Sequence, residues 1–343
     1  MPRFPAVPAA FLLAAACSGV PHAQTPIVAV SPGLFEYHSA FWVNLHHLLY
    51  EQARALEGLD SGRVIVGQAL RDTAGIEGLT AGERMAWDLA LRYYRRHLAR
   101  HDVLERDMAA IKAALGDREN APALDRLLVR ANSFADDSLR MVLDAAAPAY
   151  RRAWWSRHDQ GNRAWIAGMR ARVDRHGPAL ARELARIFHI PWSDFLIRVD
   201  ASAYANWSGA YTTNYPDRIT VATTDSDYAG SSGLEMLFHE SLHTLDDSVR
   251  TALARAAKAH GTRVPPDLVH AMIFFTAGEV TRRELSAESP DYVPTAERLG
   301  IWQRGGFPRH LPLLRRLWLP WIEGRSSFTA AIDSIAGALS TIE

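Results

Sequence analysis

A five-residue motif at positions 239–243, HESLH, combines residue types that can bind a metal ion and use it. An α-helix turns by about 100° per residue, so His239 and His243 project from the same face. Two imidazole nitrogens placed in this way can bind one Zn²⁺ at about 2.0–2.1 Å. Glu240 lies about 100° round the helix and can take a proton from zinc-bound water, whose pKa the ion lowers to about 7. The motif therefore predicts a zinc site with His239 and His243 as ligands and Glu240 as general base.

The flanking residues predict the helix that carries this motif. Ser232 and Glu235 have the spacing of a capping box, which would start a helix seven residues before His239. Leucine and phenylalanine side chains at 234, 237, 238, 242 and 245 give that helix an apolar face. The alternative is a surface helix with two solvated histidines, and the cap, the apolar face and a preceding strand together favour the metal site.

A catalytic zinc ion needs a third protein ligand, and the helix predicted within residues 267–285 is the best place to seek it. Glu279 follows the apolar run 271–277 on this helix. A carboxylate in such a setting is costly unless it is paired or bound to a metal. Glu279 is therefore the predicted third ligand, and an ion pair with Arg282 or Arg283 is the alternative.

His270 is the competing third ligand. It precedes Glu279 by nine residues, so the two side chains would point about 180° apart and would not both bind one ion. Asp247, Glu284 and Glu288 are the remaining candidates. Separately, Asp246 or Asp247 could orient His243 from behind, or could simply form a charged helix end.

The motif and the later glutamate resemble those of the zincin metallopeptidases, specifically the gluzincin type. The resemblance implies a zincin fold, in which a short sheet packs on the active-site helix. It implies that His239, His243 and Glu279 bind zinc and that Glu240 is the general base. It also implies that an exposed edge strand, within residues 219–224, pairs with an extended peptide substrate.

Hydrolysis of a peptide also needs a donor that stabilises the oxyanion of the tetrahedral intermediate. Tyrosine or histidine usually serves in zincins. Tyr292 is ranked first because it follows the Glu279 helix in a loop flanked by prolines. Tyr211, Tyr228 and His270 are the other candidates.

These inferences predict an exported zinc metallopeptidase that hydrolyses peptide bonds by Glu-assisted attack of zinc-bound water. One alternative is a zinc-binding envelope protein on a zincin scaffold with little or no peptidase activity. Another is a helical structural protein in which the motif arises by chance and binds no metal.

The elements around the motif predict an α+β protein that is predominantly helical. We expect a helical region at 24–190 and a zincin-like metallopeptidase region at 191–343. In the second region, residues 195–199 and 218–224 have the β-branched composition of strands. A small sheet set among helices is the expected arrangement.

Several helices are expected before position 190. Thr80 and Glu83 form a second capping-box pattern, and another helix follows Pro122. Two more are expected on either side of residues 176–178, His-Gly-Pro. The first helix is expected to carry three histidines in structural roles, His38, His46 and His47.

Composition and the first residues set the remaining limits. The chain of 343 residues has 38 basic and 38 acidic side chains, so no net charge favours nucleic acid as a partner. Residues 1–23 have the pattern of an export signal with cleavage near Ala23, and the apolar run 9–16 is too short to span a membrane. Cys17, the only cysteine, lies in a loose lipoprotein-type context, so a lipid anchor is a second possibility. We expect a periplasmic or secreted protein without a transmembrane segment, which acts on peptide or protein substrates.

Overall fold

A five-stranded mixed sheet lies between two groups of helices. The computed structural model describes residues 27–60, 63–117, 139–192, 196–214 and 216–341. The strands are β1 (Ile27–Ser31), β2 (Phe35–His38), β3 (Ile197–Ser202), β4 (Ala210–Thr213) and β5 (Arg218–Ala222). Their order is β1-β2-β3-β5-β4. The β2–β3 and β3–β5 pairs are parallel, whereas β1–β2 and β4–β5 are antiparallel.

Helices cover both faces of the sheet. Those encoded before β3 are α1 (Phe41–Leu56), α2 (Val64–Arg71), α3 (Ala81–His97), α4 (Arg106–Gly116), α5 (Leu139–Tyr150) and α6 (Ser156–Phe188). Those encoded after β5 are α7 (Gly230–Leu242), α8 (Asp247–His260), α9 (Leu268–Glu284), α10 (Thr295–Arg298), α11 (Phe307–Leu313), α12 (Leu319–Ile322) and α13 (Phe328–Ala338). The protein is thus α+β and mostly helical, as predicted.

The sheet separates two hydrophobic clusters because successive side chains of a strand point to opposite faces. On one face, Val199, Ile219 and Val221 pack with α6, α7 and α9. On the other, Tyr211 and Ala222 pack with α1, α3, α4 and α5. Each cluster contains residues from both of the regions predicted from the sequence. The sheet itself takes β1 and β2 from the first region and β3 to β5 from the second.

Several local predictions are confirmed. The first predicted strand corresponds to β3, and the second corresponds to β5. The Thr80 capping box is present: the Glu83 amide donates to Thr80 Oγ1 over 3.2 Å, and the Thr80 amide donates to Glu83 Oε2 over 2.8 Å. The helix expected after Pro122 lies mainly within residues 118–138, which are outside the described residues. The predicted export signal at 1–23 is also outside them.

The helical interpretation was wrong at two points. Residues 27–31 and 35–38 form β1 and β2 within the region expected to be helical, so His38 lies in the sheet and only His46 and His47 lie on α1. The expected break at 176–178 is absent, because α6 continues through Gly177 and Pro178. A Cβ on Gly177 would lie 2.6 Å from Leu34 Cδ1. The glycine therefore allows close packing between α6 and the β1–β2 turn, which offsets the hydrogen bond lost at Pro178.

Glu51 is a buried carboxyl group on α1 that gives stability a distinctive pH dependence. Its side chain is 0% exposed, and neither carboxyl oxygen has a hydrogen-bond partner among the described residues. Burial raises the pKa of Glu51 to about 8. In the unfolded chain the group loses its proton near pH 4.5, so folding favours the protonated form and stability falls as pH rises from about 5 to 8.

We expect Glu51→Gln to remove much of this pH dependence. Each pKa unit corresponds to about 1.4 kcal/mol, so the variant should gain a few kcal/mol relative to the natural protein between pH 5 and 8. Urea unfolding at a series of pH values measures the difference. The exposed Glu77→Gln variant is the control. Parallel pH profiles for Glu51→Gln and the natural protein would contradict the prediction.

Candidate metal centre

Helix α7 presents the two motif histidines from a buried position. Every residue from Gly233 to Leu242 is buried, which reflects packing against the sheet and against α6 and α9. The Nε2 atoms of His239 and His243 are 3.3 Å apart. The two imidazoles therefore converge on one point, as the four-residue spacing predicts.

The capping box predicted from Ser232 and Glu235 at the start of this helix is absent. Ala229 is the N-cap, and no side chain caps the helix. Glu235 instead bonds to the segment around the start of α10, where it accepts hydrogen bonds from Tyr292 Oη at 2.6 Å and from the Thr295 amide at 3.0 Å. Burial raises the pKa of Glu235 to about 7. Glu235 thus joins α7 to the segment that leads into α10.

His270 of helix α9 completes a cluster of three histidines. Its ring centroid lies 5.3 Å from that of His239 and 5.0 Å from that of His243. One ligand nitrogen from each residue can be chosen so that all three lie within 4.8 Å of one another. Phe274, one turn further along α9, covers the cluster with its ring centroid 4.0 Å from that of His239.

The geometry and ionisation of the cluster fit a zinc ion. Two ligands at 2.0–2.1 Å from a tetrahedral zinc lie about 3.3–3.4 Å apart, which matches the separation of the His239 and His243 nitrogens. Burial lowers the pKa of His239, and it lowers those of His243 and His270 to about 4. All three imidazoles are therefore neutral at pH 7, the state in which histidine binds metals.

The structure does not bring Glu279, the predicted third ligand, to this cluster. Glu279 Oε2 accepts a hydrogen bond from Arg282 Nη2 at 2.5 Å, the ion pair that was the alternative interpretation. Nine residues turn a helix by two and a half turns, so the packing that directs His270 inward directs Glu279 away. His270 thus takes the place expected for Glu279, and the cluster that could hold a metal ion consists of three histidines.

The other candidate ligands also have different positions. Glu284 pairs with His176 at 3.1 Å, and Glu288 pairs with Arg175 at 2.5 Å. Asp247 is exposed at the start of α8. Neither Asp246 nor Asp247 forms a hydrogen bond with His243 within the described part of the chain.

Glu240 lies beside the cluster and is held by the sheet. It is 5% exposed, and Thr212 Oγ1 lies 2.7 Å from its Oε2 atom. The Thr212 hydroxyl can therefore donate to the carboxylate and fix its orientation. Burial raises the pKa of Glu240 to about 7, against the opposing effect of this hydrogen bond. A carboxyl group with a pKa near the working pH is suited to general acid–base catalysis.

Thr212 belongs to β4, which is the edge strand next to α7. The sequence placed the edge within residues 219–224, but β5 is enclosed between β3 and β4. The strand order depends on pairing between distant segments, which the composition of β5 does not reveal. The edge that lies beside Glu240 is therefore β4, antiparallel to β5.

Tyr292, the tyrosine ranked first as oxyanion donor, lies elsewhere. Its hydroxyl donates to Glu235, and it is not among the residues that line the cavity at the histidines. Tyr211 and Tyr228 do line that cavity. Their hydroxyls bond respectively to His47 Nε2, at 2.8 Å, and to the Ser208 carbonyl, so both are engaged within the protein.

The histidines of α1 have structural contacts, as the sequence indicated. His46 Nδ1 bonds to Tyr94 Oη at 2.8 Å, and His47 Nδ1 bonds to the Val43 carbonyl at 2.7 Å. Burial lowers the pKa of His47 to about 4. These side chains support the sheet face opposite α7 and do not form a second metal cluster within the described residues.

A cavity of about 1190 Å³ opens onto the histidine cluster and Glu240. Its walls come from both parts of the chain. Arg63 and Leu104 contribute from the segments around α2 and α4, and Phe307 contributes from the start of α11. The Arg63 guanidinium lies 4.5 Å from the Trp207 ring centroid, which connects the two walls. The space is large enough for a substrate of several residues.

Comparisons of the chain with protein-family models, curated proteins and solved structures found no match. No helix within the described residues has both the length and the apolar character needed to cross a lipid bilayer.

Proposed function

We propose that the protein is a zinc metallopeptidase. The observation that carries this proposal is the convergence of His239, His243 and His270 next to the buried carboxyl group of Glu240. These four side chains line one large cavity, and an edge strand runs beside it. A metal site with three protein ligands, a nearby base and room for a substrate is the arrangement that hydrolysis requires.

The proposal includes a zincin-like catalytic region. Helix α7 packs against a short sheet whose antiparallel edge strand β4 lies beside the motif, which supports the resemblance. The ligand set differs from the gluzincin pattern, because a third histidine stands where that pattern has a glutamate. The proposal accordingly names His270, and not Glu279, as the third ligand.

The residues of this chain have separable roles in the proposed reaction. When bound by three histidines, zinc supplies a Lewis acid that polarises a carbonyl and lowers the pKa of coordinated water to about 7. Glu240 accepts the proton of the attacking water and passes it to the amine nitrogen of the leaving group. Thr212 holds the Glu240 carboxylate in place. Phe274 limits access of bulk water to the histidines.

The same geometry supports an extended peptide as the substrate. Strand β4 is at the edge of the sheet, and three of its residues line the cavity. The amide and carbonyl groups along the edge of a sheet can pair with a peptide by strand addition. Pairing along β4 would place the peptide backbone in the cavity that contains Glu240. The export pattern at 1–23 further supports a periplasmic or secreted location, either as a cleaved protein or with a lipid at Cys17.

Metal removal tests the proposal. We expect purified protein to contain about one zinc per chain and to hydrolyse some members of a mixed peptide library. Chelation by 1,10-phenanthroline should abolish turnover, and added zinc should restore it. Elemental analysis and mass spectrometry of the peptides measure the two properties. Stoichiometric zinc without turnover would favour the zinc-binding envelope protein, and absence of metal would favour a chance motif.

A further inference from the structure

Beside the histidine cluster, Asp246 fixes the orientation of an arginine. Asp246 is the N-cap residue of α8, yet its side chain does not cap the helix. It is 4% exposed; its Oδ1 accepts a hydrogen bond from Nε of Arg250, one turn later, at 2.7 Å, and its Oδ2 forms an ion pair with Arg250 Nη2 at 2.5 Å. These two contacts hold one edge of the guanidinium group. The remaining nitrogen, Nη1, has no hydrogen-bond partner within the described residues.

Arg250 lies in the same cavity as the metal centre. It lines the cavity together with the three histidines, and its side chain is 50% exposed. Arg250 follows His243 by seven residues across the junction between α7 and α8, and its side chain borders the same space as the histidines.

Two other arginines line the cavity, but their guanidinium groups are engaged differently. Arg63 lies over the Trp207 ring, and Arg304 Nη2 donates to the Leu299 carbonyl at 2.6 Å. Arg250 combines an orientation held by Asp246, a donor nitrogen without a partner among the described residues and a place in the cavity that the histidines line. This combination suits recognition of an anionic group on a substrate, because a guanidinium binds carboxylates through directed, charge-assisted hydrogen bonds.

We propose that Arg250 binds the C-terminal carboxylate of the peptide substrate, so that the protein acts as a carboxypeptidase. An extended chain spans about 3.5 Å per residue, so a carboxylate held beside the metal centre lies within a few residues of the bond that is cut. Short pieces are therefore released from the carboxyl end. This inference rests on the proposed peptidase function and adds its substrate specificity.

Binding without turnover tests the anchor directly. The probes are N-acetylated pentapeptides, each prepared with a free C-terminal carboxylate and as the C-terminal carboxamide. Zinc-loaded Glu240→Gln protein is titrated with both forms by calorimetry. We expect the acid to bind about 10- to 100-fold more tightly than the amide, the range expected for a hydrogen-bonded charge pair. Adding Arg250→Gln should remove this preference, whereas Arg255→Gln, an exposed position on the same helix, should preserve it.

Turnover distinguishes this role from others. Protein with Glu240 intact should shorten free-acid peptides from the carboxyl end and leave the amides largely intact, as measured by mass spectrometry. Arg250→Gln should retain zinc and raise KM for acids, and Arg250→Lys should restore part of the affinity. Equal binding of acid and amide would overturn the anchor alone. If Arg250→Gln lowered kcat equally for the acid and amide peptides, Arg250 would act at the reacting carbonyl, and its role as a carboxylate anchor would be overturned. Failure to bind either form would overturn the anchor together with the peptidase proposal.

Discussion

Glu240→Gln protein is expected to bind zinc as the natural protein does and to hydrolyse peptides at least about 100-fold more slowly. General acid–base catalysis contributes about 10²–10⁴-fold to such reactions, and glutamine can neither accept nor return the proton. Glutamine has nearly the same shape as glutamate, and it can still accept a hydrogen bond from Thr212. The buried environment at this position should therefore tolerate the change.

The measurements for this variant are zinc content, thermal unfolding and initial rates on the same peptide mixture. Glu279→Gln is the matched control, since it makes the same chemical change on α9 at a side chain paired with Arg282. Its rates should remain close to those of the natural protein. Unchanged turnover by Glu240→Gln would remove Glu240 from the mechanism.

Substitution of His270 should have the second large effect, on metal affinity. We expect His270→Gln to weaken zinc binding by more than 100-fold, because loss of a ligand should exceed the 10- to 100-fold cost of losing an outer hydrogen-bond partner. Glutamine retains much of the side-chain volume between Phe274 and Phe307. A competition titration with a chromophoric chelator measures the affinity, and circular dichroism checks the fold.

Glu279→Ala is the variant to compare with His270→Gln, because the sequence predicted Glu279 as the third zinc ligand. The structure predicts that this variant keeps full zinc affinity, because Glu279 is paired with Arg282 and does not face the histidines. Zinc loss in Glu279→Ala with retention in His270→Gln would reverse the assignment of the third ligand. Retention in both variants would leave a site with only the two motif histidines.

Local spacing was enough to predict part of this site. His239, Glu240 and His243 lie on one helix, and their relative directions follow from helix geometry alone. The same geometry indicated that His270 and Glu279 exclude each other. It could not indicate which of them faces α7, because the rotation of α9 depends on how the two helices pack. The packing is close at Gly278 of α9, where an added Cβ would lie 2.8 Å from Pro294 Cβ and 3.7 Å from Oε1 of Glu235, a residue of α7.

The elements that failed prediction all depend on distant partners. β2 is four residues long and forms a strand because it pairs with β3, far along the chain. Glu235 has the spacing of a cap, but the hydrogen bonds available from Tyr292 and Thr295 draw it elsewhere. Arg250 gave no sequence signal beyond its four-residue distance from Asp246. Its interest arises from the cavity, which only the folded chain creates.

The pairing of β2 with β3 also bears on how the chain reaches its folded state. Phe35 pairs with Ile197, about 160 residues later. The ribosome therefore synthesises β1 and β2 long before β3, the strand with which β2 pairs. Such long-range pairing slows folding, and an uncovered strand promotes aggregation in the meantime. An exported chain would need to stay unfolded during translocation and complete the sheet afterwards. Chaperones would then influence the yield of folded protein more strongly than they would for a protein whose strands are adjacent in sequence.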